Sequence, residues 1–120
     1  MKGEVVMPKQ ALWDIYESAL ALDTYFRIER GEISLKAAIL DLSAKLRRKA
    51  IRNGDNIDDV YRNPNGISTH LGHMKYALTD GKEGLSHGAK IYSEIVRIYR
   101  QEPEKYAQIL QKAESMISEI

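Results

Sequence analysis

Apolar residues recur every three or four positions in five separate stretches of this chain. Nowhere do they alternate singly, as a half-buried strand requires. That period restricts the chain to amphipathic helices that bury one stripe against each other. The expected fold is all-α: a single compact, irregular bundle of about five helices. Residues 1–8 read as a flexible N-terminal lead-in, and residues 9–120 as one helical domain. With 120 residues the chain is long enough to bury roughly two thirds of its unfolded surface, so no staple is needed.

Turn chemistry separates the stretches. The first helix is expected from Lys9, with Leu12, Ile15, Tyr16, Ala19, Leu20 and Phe26 on one line and Trp13 and Leu22 widening it. It should stop at Arg30-Gly31, where glycine accepts a left-handed cap. Ser34 is a natural N-cap for a second helix. Its apolar face is Leu35, Ala38, Ile39, Leu42 and Leu46, and Asn53-Gly54 should end it. Asn63-Pro64-Asn65-Gly66 is a turn leading into a third helix through Ile67, Leu71, Met74 and Leu78. A fourth is expected from about Ser86, with Ile91, Ile95 and Ile98 in line. Pro103 fits the first turn of a fifth, carrying Tyr106, Ile109, Leu110, Ala113, Met116, Ile117 and Ile120.

Several function classes drop out. The chain has no cysteine, so it has no thiolate metal site, disulfide or cysteine nucleophile. That usage suits a reducing cytoplasm, the compartment expected. No apolar run approaches the ~18–20 residues of a membrane-spanning helix, so no membrane partner is expected. A net charge of +1 is too small for a generic nucleic-acid coat protein. The charge is unevenly spread, however. Lys45, Arg47, Arg48, Lys49 and Arg52 follow one another with no acid between them. At 100° per residue Lys45, Arg48 and Arg52 share one side of the second helix, Lys49 lies at its edge, and Arg47 points elsewhere. Such a stripe suits phosphate contacts; it equally suits a solvated face near a helix C-terminus, where the dipole favours cations.

The other constellations also have two readings each. Arg62, Asn63 and Asn65 put forked and amide donors at a helix entrance, where anions or base edges could be met. Alternatively Asn65 caps the helix and Arg62 pairs with Asp58 or Asp59. His70 and His73 lie three apart on one face, but a metal would need His87 or acids that nothing orients, so surface donors are the better reading. No metal or other cofactor is expected. Asp23 and the Asp58-Asp59 pair are the only general-base candidates. Neither has a visible partner, and no nucleophile or Walker motif accompanies them, so no enzyme activity is expected.

The segment Tyr61-Arg62-Asn63-Pro64-Asn65-Gly66-Ile67 resembles an aromatic-Arg-Asn-x-Asn-Gly-Val/Ile signature. That signature belongs to a helical domain found ahead of HNH nuclease modules and on helicase-like and other restriction or phage-defence proteins. Leu22-Asp23-Thr24-Tyr25-Phe26 matches that domain's Leu-Asp-x-Tyr-Phe segment, and Leu42–Arg47 matches its Leu-Ser-x-x-Leu-Arg segment. Gly84-Leu85 and Lys90 match its Gly-Leu pair and downstream Lys. The likeness runs from about Lys9 to Ala113. Where HNH-linked members often carry Lys and then Asn, this chain has His70 and His73, and its three histidines do not have the HNH layout. The resemblance implies a recognition role on DNA beside a nuclease or helicase effector, whether the chain is a whole protein or a domain of a larger one.

Together these observations predict a non-catalytic DNA-binding or target-recognition module. Its contacts would be Lys45, Arg48, Lys49, Arg52, Arg62, Asn63, Asn65, His70 and Lys90. Two alternatives stay open. One is a protein-interaction or self-association module, suggested by apolar excess at Trp13, Leu22, Ile117 and Ile120. The other is a pocket for a nucleotide or other small anion at the Asn65-Gly66 helix entrance.

Overall fold

The computed structural model describes residues 12–118, so expectations for residues 1–11, Glu119 and Ile120 fall outside the described residues. Five helices follow one another: α1 (Ile15–Glu29), α2 (Leu35–Arg52), α3 (Pro64–Leu78), α4 (Lys90–Gln101) and α5 (Pro103–Ser118). No strand occurs among the described residues. The all-α bundle expected from the apolar period is therefore the fold.

Helix α1 is the axis of the bundle and packs against all four others. Its sequence explains this position. Ser18, Ala19, Leu20, Ala21 and Leu22 are buried in succession, which takes small residues on two sides of the helix. Its buried hydroxyls are satisfied within the helix: Ser18 Oγ donates to the Ile15 carbonyl at 2.8 Å and Thr24 Oγ1 to Leu20 at 2.7 Å. The helix starts later than the apolar line suggests. Asp14 is the N-cap, and Leu12, counted above with the core, is 86% exposed. Asp14 and Glu17 form a reciprocal capping box, with Glu17 N donating to Asp14 Oδ1 at 2.8 Å and Asp14 N to Glu17 Oε1 at 3.2 Å.

At its other end, Gly31 takes φ 75°, and the Glu32 amide returns to the Arg27 carbonyl at 3.0 Å, closing the helix as expected. Ser34 caps α2 through the Ala37 amide at 3.1 Å. Ala38, Leu42, Leu46 and Ala50 form the inward face of α2, while Leu35, predicted inside, is 55% exposed. Helix α4 begins at Lys90, later than Ser86, and its N-cap Ala89 supplies no side-chain cap. Tyr92, Ile95, Val96 and Ile98 of α4 meet Leu22, Leu71 and Met74 in the core.

The loop between α3 and α4 is strapped down on α3. The Leu85 amide donates to the Gly72 carbonyl at 3.0 Å, and the Leu85 side chain lies where a Cβ on Gly72 would be. Gly84, at φ 90°, sits so close that a Cβ there would run into the Gly72 carbonyl and the Tyr76 amide. The Gly84-Leu85 pair thus has an architectural role: only glycine lets the loop approach the helix backbone here.

Candidate functional site

Helix α3 opens on Asn63, which caps it: Asn63 Oδ1 accepts from the Gly66 amide at 2.8 Å, with Pro64 in the first turn. The sequence expectation had Asn65 in that role. Asn65 is instead exposed, and its carbonyl accepts from Thr69 Oγ1 at 3.1 Å. Because Asn63 already occupies the Gly66 amide, the helix entrance has less capacity for an anion than its residues suggest.

Arg62 faces inward. It is 5% exposed and adopts φ 49°, a left-handed conformation costing about 1–2 kcal/mol for a non-glycine residue. Its guanidinium forks onto Glu17, with Nε to Oε2 at 2.8 Å and Nη2 to Oε1 at 3.0 Å. It also donates to the Leu12 carbonyl at 3.3 Å. The Trp13 and Tyr61 rings lie 5.0 and 4.6 Å from its central carbon. Its carbonyl accepts from buried Ser43 Oγ at 2.6 Å. Arg62 therefore ties α1, α2 and the connector together. Neither Asp58 nor Asp59 is its ion-pair partner, and it is not placed to meet DNA. Glu17, which sequence reasoning missed, is the centre of this knot. It completes the α1 cap and takes both prongs of the guanidinium.

His70 borders the same knot. Its ring lies 4.3 Å from Trp13 and 5.5 Å from Tyr92, so it is half-buried, not a surface donor. Burial, with smaller contributions from Arg62 and His73, pushes its pKa down to about 4, so it is neutral near pH 7. Trp13 Nε1, His70 Nδ1 and Tyr92 Oη are buried without a hydrogen-bond partner among the described residues. His73 Nδ1 lies 2.8 Å from the Leu85 carbonyl and helps hold the strap. Among the described residues no group of three or more His, Asp or Glu could hold a metal. Asp23 is half-buried, and its pKa is raised chiefly by that burial, with Arg27 and Arg30 opposing.

The cationic stripe of α2 is divided. Lys45 pairs with Asp41 at 2.8 Å. Lys49 is largely covered and sits 4.0 Å from Asp14. Arg52 is exposed, with one guanidinium nitrogen on the Met116 carbonyl near the end of α5. Arg48 is exposed and makes no ion pair among the described residues. Lys49, Arg52, Asn53 and Met116 line a cavity of 270 Å³ where α2 meets α5. Arg47, which leaves the stripe as expected, donates to the carbonyls of Asp58 at 3.1 Å and Tyr61 at 2.5 Å. It pins the connector that ends in Arg62. Lys90 is exposed at the start of α4, on a different element from the stripe.

The apolar excess offered as a docking surface is largely internal. Trp13 is 8% exposed, Leu22 is fully buried, and Ile117 packs on the core. No helix among the described residues is long and apolar enough to cross a membrane. Compared with family models, with curated proteins and with solved structures, the chain matches none.

Proposed function

We propose that this chain is a non-catalytic recognition module that meets the DNA backbone through the cationic side of α2. The supporting observation is the exposed Arg48–Arg52 pair, one helical turn apart. Beside it Lys49, Arg52 and Asn53 surround a concavity of 270 Å³. A phosphate there would meet a guanidinium, an ammonium and an amide. The ion pair that holds Lys45 is partly exposed, so phosphate can compete for that side chain at little cost. Arg62 and Asn63 leave the contact set because their donors and acceptors serve the fold. Asn65, Ser68 and Thr69 remain as exposed polar residues on α3. With the resemblance noted above, this reading makes the chain a targeting element of a restriction or phage-defence-like system, working beside an effector.

Fluorescence anisotropy on a labelled duplex across a salt series tests it. Affinity should fall linearly on a log–log plot, and Arg48→Gln and Arg52→Gln should each flatten the slope by about 0.9. No binding at low salt, or a slope indifferent to both changes, would sink the reading. A protein partner is the second reading, favoured by one observation: Leu40 and Ile51 stand 51% and 59% exposed on α2.

A further inference from the structure

Helix α2 carries two apolar seams, and only one is used by the fold. Ala38, Leu42, Leu46 and Ala50 face the core. On the opposite side Ala37, Leu40, Ala44, Arg47 and Ile51 follow one another at alternating three- and four-residue steps. That is the spacing of a helix–helix seam. Ala37, Leu40, Ala44 and Ile51 are all exposed. Arg47 is turned aside onto the connector, on which Val60 is 51% exposed. Leu40 and Ile51, each more than half exposed along one heptad line, are unlike scattered surface leucines.

We propose that this seam docks on the same seam of a second copy of the chain, antiparallel, about a two-fold axis at Ala44. The charges select both the occupant and the direction. Asp41 and Arg48 lie one heptad apart on the same flank of the seam. In an antiparallel pair centred on Ala44, Asp41 of each copy lies on the same side of the seam as Arg48 of the other and about 1.5 Å from its level along the axis, within reach of the long Arg side chain, so the symmetry makes that contact twice. Ala37 then covers Ile51 of the second copy, and Leu40 packs beside the stem of its Arg48. Ala44 meets itself, and its small side chain permits close approach of the helices. A parallel pair would leave Asp41 without a cation across the seam. Among the described residues Asp41 is held by a partly exposed pair with Lys45, so it can turn to the new partner at little cost.

This inference goes beyond the DNA reading and does not depend on it. The test uses the full chain, which has no cysteine of its own. Light scattering should give twice 13.7 kDa at micromolar concentration. Ala44→Cys should cross-link rapidly under mild oxidation. Ala37→Cys should not, because two antiparallel copies hold residue 37 about 21 Å apart along the helix axis. The double variant A37C/I51C should cross-link again. Asp41→Arg and Arg48→Asp should each weaken the dimer about tenfold or more, and D41R/R48D together should restore it. Leu40→Glu, at an exposed position, should leave the helical circular dichroism intact and give a monomer. A monomeric parent chain overturns the proposal. So does a dimer that survives Leu40→Glu, or one that Ala37→Cys traps as readily as Ala44→Cys.

Discussion

Arg62 and Arg48 are fourteen residues apart in a basic part of the chain, and the fold uses them in opposite ways. Arg62 is taken out of water, paired in both prongs with Glu17, and held in a left-handed backbone conformation. Arg48 stands in solvent on the outer side of α2, with no ion pair among the described residues. The difference lies in what surrounds each charge. A buried guanidinium has lost its hydration and depends on its partner, so it can hold three segments together but cannot be released to a ligand. An exposed guanidinium contributes little to stability and remains free to exchange water for phosphate or carboxylate. A motif dense in polar residues is therefore the keystone here, and an ordinary-looking cationic helix face is the available surface.

The strongest way to break that contrast is to remove one side of the buried pair. Arg62→Ala or Glu17→Ala leaves an uncompensated charge in the knot, and either should cost about 3–5 kcal/mol in denaturant unfolding. Arg62→Lys should recover only part of this, since an ammonium cannot fork onto both carboxylate oxygens. A loss below about 1 kcal/mol would show that the guanidinium is not the tie between α1 and the connector.

Asn63 sharpens the same comparison one residue further on. Its side chain closes the first turn of α3, so Asn63→Ala should cost about 1 kcal/mol, whereas Asn65→Ala, on an exposed side chain, should stay within about 0.5 kcal/mol. If Asn65 proved the costlier of the two, the capping assignment would be reversed.

The knot also predicts a pH effect that the α2 surface does not share. His70 has a folded pKa near 4, below its ordinary value of 6.5. Between those values the unfolded chain binds the proton that the folded chain refuses. The contribution is therefore fully present above about 6.5 and is lost as pH falls toward 4. The decisive comparison is between the parent chain and His70→Gln, which should lose stability less steeply over this window. Identical slopes in urea unfolding at pH 7 and pH 5 would remove His70 from the account.

How much of this was legible in the sequence depended on distance along the chain. Ser34, Gly31 and Pro103 act on neighbours within a few residues, and each does what its local chemistry implies. The cap of α3 was legible too, though misassigned. Proline favours the first helical position, which makes the preceding Asn63 the N-cap and not Asn65. The Asp14-x-x-Glu17 capping box was equally visible and marks the later start of α1. Glu17 as the partner of Arg62 was not visible: forty-five residues separate them, and Asp58 and Asp59 are nearer decoys. His70 likewise has a polar name but an environment assembled from α1, α3 and α4. The second seam of α2 left a signal that counting only core-facing residues overlooks, since Leu40, Ala44 and Ile51 align as well as Leu42 and Leu46 do.

The smallest stability effect tests the other half of the comparison. Arg48→Ala should change unfolding free energy by no more than about 0.5 kcal/mol, because the side chain is solvated and, among the described residues, ties no element to another. Any larger role must then lie outside the folded monomer. The two proposals separate at this residue. If Arg48 meets phosphate, its removal flattens the salt dependence of DNA affinity at any protein concentration. If it meets Asp41 of a second copy, its removal makes the loss of the dimer visible, and a reversed charge at position 41 compensates for a reversed charge at 48. A chain in which Arg48→Ala unfolds the bundle as readily as Arg62→Ala would erase the distinction between the two arginines, because the α2 surface would then be part of the architecture.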